Sequence, residues 1–412
     1  MHELISRRSV LSAAAATVAL PAVAVSAPAD GLQPRAASAK PISDTERHVR
    51  LAKLQGLMQQ QRVGSLLIEP GSSLEYFTGV RWRRSERVTA AVITARGSVT
   101  VVTPAFEAPS VRETLRTHAD VRAWNEDESP FPLIADAARP AAGLALAVEG
   151  TTRYFVVEGV RKLIGAADVV SGDPLVRPCR LIKSSDELAL MQTANDITLA
   201  AIRHVHAHVQ AGMRAEDLAM LMDAATRAAG GEPEFSLVLL NEASAYPHGS
   251  AQPQRVREGS VILMDCGCNV HGYQSDISRT WVFGAATARQ RQIWETVKQG
   301  QQIALSSAKI GVPVGVIDDA VRDFYVRRGY GPGYRLPGLP HRTGHGIGLD
   351  GHEPAYLVHG DATTLQPGMC FSDEPGLYIP GEFGIRLEDC WHMTAGGPRL
   401  FTGLASSIDQ PI

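Results

Sequence analysis

The first half of the chain alternates between short apolar runs and helical patterns. Ser43-Asp44-Thr45-Glu46 is a capping box, and the amphipathic pattern after it predicts a helix that ends near Arg62. Strands are predicted at residues 65–69, 88–95 and 98–103, and helices near residues 111–116 and 157–164. Since strands and helices alternate, we expect a mixed α/β first domain over residues 43–180. Nothing in its sequence indicates catalysis.

The second half of the chain groups its elements differently. A capping box formed by Ser184 and Glu187 predicts a long helix that ends at Gly212. Further helices are predicted at residues 215–229, 288–308 and 314–327, and strands at 236–240, 261–266, 272–283, 369–374 and 384–393. Because strands and helices segregate more than they alternate, the pattern predicts an α+β second domain, residues 181–412, built on antiparallel sheet.

The long helix carries three histidines, at positions 204, 206 and 208. The spacing places His204 and His208 on one face of the helix, where two imidazoles can chelate a metal ion. No carboxylate accompanies them, so we interpret this part of the helix as a solvent-exposed face.

The N-terminus has the organisation of an export signal. Arg7 and Arg8 precede an Ala-rich apolar stretch, and Val25-Ser26-Ala27 has the small-x-small pattern of a signal cleavage site. We therefore expect residues 1–27 to be a twin-arginine signal peptide, residues 28–42 a flexible spacer, and the mature protein to be periplasmic. The alternative is a membrane anchor, which Pro21 and the weak hydrophobicity of alanine disfavour. No stable membrane span is expected after cleavage.

The composition excludes other classes of protein. Lys plus Arg is 40 against 43 Asp plus Glu, a net charge of −3, so no basic excess indicates a nucleic-acid partner. A length of 412 residues with 44% hydrophobic content leaves room for two domains with full cores. The five cysteines include no CxxC pair, which argues against a zinc ribbon. Cys266, Cys268 and Cys390 lie in strand-like runs and are expected to be buried thiols.

Two aspartates flank a predicted turn in the second domain. Asp265 ends an apolar run, Asp276 follows eleven residues later, and residues 269–272 form a plausible turn midway between them. A hairpin centred there would place the two carboxylates opposite each other, with Cβ atoms about 4.5–5.5 Å apart. Charges that close repel by roughly 4 kcal/mol at an effective dielectric constant of 20, so a cation is expected between them.

Three further segments carry residues suited to bind such a cation. They read HRTGHGIGLDGHEP from His341, SDEPG from Ser372 and GIRLED from Gly384. Alternation along the last one places Arg386 and Glu388 on the same face of a strand. Each segment taken singly is a weak signal, because a lone buried acid is more often a structural residue.

Together these segments resemble the Xaa-Pro aminopeptidase, prolidase and creatinase family of "pita-bread" metallopeptidases, in the order DCGCNVHGYQSDISRT, HRTGHGIGLDGHEP, DEPGLYIP and IRLED. The resemblance covers most of the chain after the signal segment. It implies a C-terminal pita-bread domain, with antiparallel sheet flanked by helices, preceded by a mixed α/β creatinase-like N-terminal domain.

The resemblance also implies five metal ligands, which are Asp265, Asp276, His345, Glu374 and Glu388. By this likeness Asp276 and Glu388 bridge two ions, Asp265 holds one, and His345 and Glu374 hold the other. Four carboxylates and a neutral imidazole carry −4, which two divalent cations neutralise. Oxygen-rich ligation favours manganese, with cobalt, iron or zinc as alternatives. Cys266 points away from the site, because side chains alternate along a strand.

Catalytic roles follow from the same resemblance. A hydroxide that bridges the metals attacks the substrate, and Glu374 takes the proton from the attacking water. His352 and one metal stabilise the oxyanion, while His248 steadies the substrate. His341 falls where the family contacts substrate, and Arg386 is interpreted as a partner of the ligand carboxylates.

The leading hypothesis is therefore a metallopeptidase that cleaves the bond before a proline in second position, as an Xaa-Pro aminopeptidase or dipeptidase. One alternative is a metal-dependent hydrolase or lyase of a small non-peptide metabolite, and another is a catalytically silent binding module on the same fold. The sequence leaves aminopeptidase and dipeptidase both open. The resemblance implies a homodimer, and residues 76–84, with Trp82 exposed, form either a lid near the site or a strand with a solvated basic loop.

Overall fold

The computed structural model describes residues 32–139, 141, 143–165 and 168–412. The predicted signal peptide, residues 1–27, lies outside the described residues. Within the predicted spacer, Arg35–Ser38 form a short 3₁₀ helix, and the Arg35 amide donates to the Ala229 carbonyl at 2.8 Å. In the part of the chain that is described, no helix is long and apolar enough to cross a bilayer.

The first domain is a six-stranded mixed sheet with helices on both faces. Its helices are α1 (Asp44–Gln60), α2 (Ser72–Thr78), α3 (Ala108–Thr114), α4 (Phe131–Ala138), α5 (Tyr154–Ile164) and α6 (Asp173–Leu181). Its strands are β1 (Val63–Ile68), β2 (Ala90–Thr94), β3 (Val99–Pro104), β4 (Ala119–Trp124), β5 (Ala145–Val148) and β6 (Val169–Ser171). The sheet order is β4-β3-β2-β1-β5-β6, with β2 antiparallel to both of its neighbours and the remaining pairs parallel.

Alternation along the central strands produces the two cores of this domain. Leu66 and Ile68 pack with Leu54 of α1 on one face of the sheet, while Leu67 packs with Ile134 of α4 on the other. The mixed α/β prediction is confirmed.

The second domain consists of four long helices around antiparallel sheets. Its helices are α7 (Ser185–His208), α8 (Ala215–Ala228), α9 (Ala288–Ser307) and α10 (Gly315–Arg327). Its strands are β7 (Glu232–Leu240), β8 (Val261–Val270), β9 (Tyr273–Gln274), β10 (Ile277–Val282), β11 (Gly344–Gly346), β12 (Glu353–Leu357), β13 (Cys370–Asp373), β14 (Gly376–Ile379), β15 (Phe383–Arg386), β16 (Asp389–Thr394) and β17 (Gly397–Leu400). A second 3₁₀ helix spans Asn241–Ala245.

Two apolar cores hold these elements together. One sheet has the order β10-β8-β7 and packs on α7 and α8. The other has the order β12-β11-β13-β16-β17 and packs, with the hairpin β14-β15, on α9 and α10. Every strand pair in this domain is antiparallel, so the α+β prediction is confirmed. Strand ends from both sheets meet between the two cores.

The hairpin that carries Asp265 and Asp276 has a different register from the predicted one. Asp265 pairs directly with Ser278, and the turn is the dipeptide His271-Gly272, with φ angles of 50° and 90°. Positive φ at both turn residues is typical of the type I′ turns that close tight hairpins. The prediction that the two carboxylates lie directly opposite was therefore wrong. Asp276 lies two residues further along the partner strand, on the same face as Asp265.

The histidines of α7 are only partly exposed. His206 is exposed, but His204 is buried and its Nε2 atom has no hydrogen-bond partner. The expectation of a solvated face was wrong for His204, because this side of α7 packs towards the core through the neighbouring Ala201 and Val205.

The cysteines are all free and buried, as expected for those in strands. Cys266 belongs to the core under α7 and α8 and so lies on the opposite face of β8 from Asp265. Thiolate ligation by this residue is thereby excluded.

An ionic cluster around Glu353 joins the domains. The Glu353 carboxylate is 4% exposed and accepts hydrogen bonds from Arg180 of the first domain and, at 2.9 Å, from Lys183 in the linking segment. Burial raises the pKa of Glu353, but the two cations outweigh it and bring this pKa down to about 2. The folded pKa is below the unfolded one, so the stabilisation is present above about pH 4.5 and is lost as the pH falls towards 2.

A second contact joins α1 of the first domain to the β8-β9 hairpin. Arg50 donates to the Tyr273 hydroxyl at 3.0 Å, and that hydroxyl donates to Glu187 at 2.9 Å. All three side chains are buried. The turn of the ligand-bearing hairpin is thus held by the first domain.

Replacing Lys183 with Met tests the Glu353 cluster. We expect the variant to lower the free energy of unfolding by about 3 kcal/mol at pH 7, since removing one partner leaves a buried carboxylate undercompensated. Lys162→Met is the matched control, because Lys162 and Glu158 form an exposed pair, and it should change stability by less than about 1 kcal/mol. Denaturant unfolding measures both; equal losses would contradict the assignment.

Candidate metal centre

A cleft of about 1050 Å³ opens between the two halves of the second domain. It is lined by every residue for which the sequence predicted a site role, namely His248, Asp265, Asp276, His341, His345, His352, Glu374 and Glu388. Residues more than 100 positions apart in the chain are thereby brought together.

The five predicted ligands come from separate strands. Asp265 lies within β8 and His345 within β11, while Asp276 and Glu388 immediately precede β10 and β16 and Glu374 immediately follows β13. The strand ends of both sheets therefore supply the floor of the cleft.

Three overlapping groups of ligand atoms lie on this floor, one of which contains Asp276, His345 and His352. One oxygen each from Asp265, Asp276 and Glu388 lie within 4.8 Å of one another, and so do atoms of His345, Glu374 and Glu388. His345 Nε2 is 3.4 Å from Glu374 Oε1 and 3.6 Å from Asp276 Oδ2. The Asp265 and Glu374 groups share Glu388, and Asp276 of the first lies beside His345 of the second, which matches the ligand field of a pair of ions.

The His345 ring is oriented for ligation. Its Nδ1 atom lies 3.0 Å from the Gly346 carbonyl oxygen and donates to it, so Nε2 carries the lone pair that faces the carboxylates. Burial lowers the pKa of His345 to about 3, which keeps the ring neutral at physiological pH.

Arg386 is the cation in direct contact with the ligand carboxylates. Its guanidinium bonds to Asp265 and donates to Ser278 at 2.9 Å, and the Ser278 hydroxyl donates to Glu388 at 2.7 Å. The predicted contact between Arg386 and the ligand carboxylates is confirmed.

Four carboxylates nevertheless share this single contact, which leaves them short of positive charge. Burial, and then the neighbouring carboxylates, raise the pKa values of Asp276 and Glu388 well above their usual range. The Oδ1 atoms of Asp265 and Asp276 are buried without a hydrogen-bond partner. Orphaned, crowded oxygens of this kind fit divalent cations, so the residues present suit a metal pair.

Three further histidines surround the floor. His341 donates from Nδ1 to the Arg342 carbonyl at 2.8 Å and accepts at Nε2 from Tyr378, also at 2.8 Å. The His352 ring centroid is 4.0 Å from that of His345, at the exposed edge of the cleft. His248 is exposed on the opposite rim.

Four residues that line or support the cleft were not predicted from the sequence, and two of them, Ser278 and Tyr378, lie behind its lining. Ser278 has the period-2 spacing from Asp276 that would have placed it on the ligand face. Tyr378, four residues after Glu374, accepts from Arg386 at 2.9 Å and thereby joins it to His341. Phe235 and Leu237 of β7 form an apolar wall of the cleft, and no motif in the sequence points to them.

The segment predicted as a lid does not line the cleft of its own chain, so a lid supplied by a partner subunit stays a prediction. In residues 76–84, Tyr76 and Phe77 belong to the buried helix α2, and Trp82 is partly buried against the first-domain core. None of these residues lines the cleft. The expectations of an exposed Trp82 and of a strand were therefore both wrong, because the apolar side chains of this segment pack inward.

Comparisons with known proteins agree with this geometry. The sequence model of metallopeptidase family M24 matches residues 189–395, and that of the creatinase/prolidase N-terminal domain matches residues 50–182. A probable dipeptidase PepE of Mycobacterium tuberculosis is 32% identical over 84% of this chain and 92% of its own. An Xaa-Pro dipeptidase of Lactobacillus helveticus is 30% identical over 86% of this chain and 96% of its own.

Solved structures show the same architecture. Dipeptidase PepE from Mycobacterium ulcerans superposes with a TM-score of 0.81 at 29% identity, covering 88% of this chain and 97% of that one. A prolidase from Thermococcus sibiricus gives 0.80 at 26% identity, over 87% and 97%. The chain belongs to metallopeptidase family M24 and has a creatinase-like N-terminal domain before its pita-bread domain, which confirms the predicted fold. The family implies a dinuclear metal site.

Metal binding should displace protons from this site. Besides Asp276 and Glu388, Glu374 has a pKa raised to about 7, mainly by burial. Protons held at neutral pH must leave before the oxygens can bind a cation, so the apparent affinity for Mn²⁺ should rise with pH between about 5 and 8. Calorimetric titration in buffers of different ionisation enthalpy measures the protons released. Affinity that falls with pH would contradict this assignment.

Proposed function

We propose that this M24 metallopeptidase hydrolyses Xaa-Pro dipeptides, cleaving the bond between the first residue and proline. The observation that carries the proposal is the pair of overlapping ligand groups on the floor of a cleft that also presents an apolar wall and an unpaired guanidinium. The relatives that share the fold over most of their length include Xaa-Pro dipeptidases and a prolidase.

The five predicted ligands are proposed to hold two divalent ions, with Asp276 and Glu388 shared between them. One imidazole among four carboxylates suits manganese, with cobalt, iron or zinc as alternatives. When bound, such ions supply Lewis acidity and lower the pKa of water towards neutrality.

Around these ions we propose distinct tasks for the remaining side chains. Glu374 accepts the proton of the attacking water, since its carboxylate faces both His345 and His341. His352 donates to the carbonyl oxygen on which negative charge develops, while His248 and His341 contact the peptide from the rim. Burial and Arg386 lower the pKa of His341 to about 3, so it acts as a neutral hydrogen-bonding group.

The position of Arg342 leads us to propose a dipeptide, and not a longer peptide, as the substrate. Its side chain lines the cleft, and its guanidinium lies 4.3 Å above the Tyr356 ring. Among the ion pairs of the described residues, none involves Arg342. A free guanidinium beside the metal floor is suited to bind the terminal carboxylate of a two-residue substrate.

The homodimer implied by the family resemblance stays a prediction.

We further propose that the protein is exported to the periplasm by the twin-arginine route. Arg7 and Arg8, the apolar stretch and the Val25-Ser26-Ala27 cleavage pattern occur in the order that this signal requires.

The dipeptidase proposal predicts a substrate ratio. The manganese-loaded protein should hydrolyse Leu-Pro with a higher kcat/KM than Leu-Pro-amide, and Arg342→Met should lower the dipeptide value about tenfold or more through loss of a charge-assisted hydrogen bond. The exposed Arg328 provides the matched control, Arg328→Met, which should keep the ratio. If neither compound is hydrolysed, the proposed function is refuted. If both are hydrolysed at equal rates, the proposed role of Arg342 is refuted.

The export proposal is tested on the signal itself. Replacing Arg7 and Arg8 together with Lys should retain the uncleaved precursor in the cytoplasm, because the route requires both arginines. Arg35→Lys, which lies after the cleavage pattern, is the control. Immunoblots of periplasmic and cytoplasmic fractions provide the measurement, and undiminished export of the double variant would overturn the proposal.

A further inference from the structure

A second cavity, of about 310 Å³, lies between the two domains beside the metal cleft. Asp350 and His352 line both spaces, so the cavity lies directly beside the cleft. Its other wall belongs to the first domain and includes Glu149, Asp173 and Arg180. A volume at the lower end of the range for small-molecule sites accommodates one side chain and not a second peptide.

The charges around this cavity do not balance. Three of its four carboxylates have cationic partners: Asp350 bonds to Arg180 at 2.8 Å, Asp173 to Arg177 at 2.7 Å, and Glu353 to Arg180 and Lys183. Four carboxylates thus face three cations, and one negative charge is left over.

Glu149 carries the uncompensated charge. It is 8% exposed and lines the cavity, and no cation approaches it within 4.0 Å among the described residues. The Thr151 hydroxyl donates to its Oε2 at 3.0 Å. Arg84 reaches it only indirectly, because its guanidinium donates to Thr151 and to the Pro70 carbonyl. A carboxylate this buried without a cation is unfavourable, and a cationic ligand would relieve the cost.

We propose that this cavity receives the side chain of the residue that precedes proline, and that Glu149 selects a cationic side chain, lysine or arginine. The inference rests on the proposed function, in which His352 faces the bond to be cleaved. Because His352 lines both the cleft and the cavity, we place the side chain of the first residue past His352, with Glu149 on the first-domain wall of the cavity. Arg177 and Arg180 already pair with the other carboxylates of the cavity. A further positive charge would therefore be most favourable next to Glu149.

The test compares Lys-Pro with norleucine-Pro, which has a side chain of similar reach and no charge. In the wild-type manganese enzyme kcat/KM should favour Lys-Pro about tenfold, and Glu149→Gln should bring the ratio close to one, the loss expected for a buried charge-assisted hydrogen bond. Glu158→Gln, an equal charge change on the exposed face of α5, should keep the wild-type ratio.

A second comparison needs no variant. Acetylating the lysine Nε removes its charge, so Nε-acetyl-Lys-Pro should lose the preference even if Glu149→Gln fails to fold. The inference is overturned if norleucine-Pro is cleaved as well as Lys-Pro, if acetylation leaves the rate unchanged, or if folded Glu149→Gln keeps the wild-type ratio. Absence of hydrolysis of all three dipeptides would instead overturn the proposed function, and this inference with it.

Discussion

Four carboxylates crowd around one buried guanidinium on the floor of the cleft, and the site depends on the fold's ability to hold them there. Unit charges 4 Å apart repel by about 4 kcal/mol at an effective dielectric constant of 20, so the arrangement is unfavourable by itself. It persists because the ligands are fixed on strands whose opposite faces are buried in separate apolar cores. The packing of these strands into the two cores therefore compensates the repulsion between the carboxylates, and bound divalent ions would remove that repulsion. A site preformed in this way needs little reorganisation when metal binds.

Arg386 both reduces the repulsion between these carboxylates and fixes their positions. Its planar guanidinium contacts Asp265, Ser278 and Tyr378 at once, and Tyr378 passes the connection to His341. A lysine could neutralise one carboxylate but could not span these partners in a fixed geometry. Ligand position and the histidine on the substrate side are thus fixed by one buried side chain. Its own orientation is set by hydrogen bonds to groups on three different strands or their ends.

The sequence predicted which residues form the site more accurately than it predicted how the strands place them. The family resemblance carried by the four motifs was enough to predict the fold class and the eight residues that the structure brings into one cleft. The hairpin register was wrong because the turn position depends on whether His271 accepts a positive φ angle, which apolar alternation does not report. Tyr378 was missed because its role depends on a long-range contact with Arg386 that leaves no local pattern, whereas the period-2 spacing of Ser278 from Asp276 places it on the ligand face but does not report its bond to Arg386.

The first domain explains why this chemistry requires two domains. The loop that carries His352 also contains Asp350, whose carboxylate is held by Ser72 and Arg180 of the first domain. The hairpin that carries Asp265 and Asp276 is held at its turn by Arg50, again from the first domain. Neither contact supplies a metal ligand, yet one fixes the loop that carries His352 and the other fixes the hairpin that carries two of the ligands. A first domain without catalytic motifs is therefore part of the active site's support.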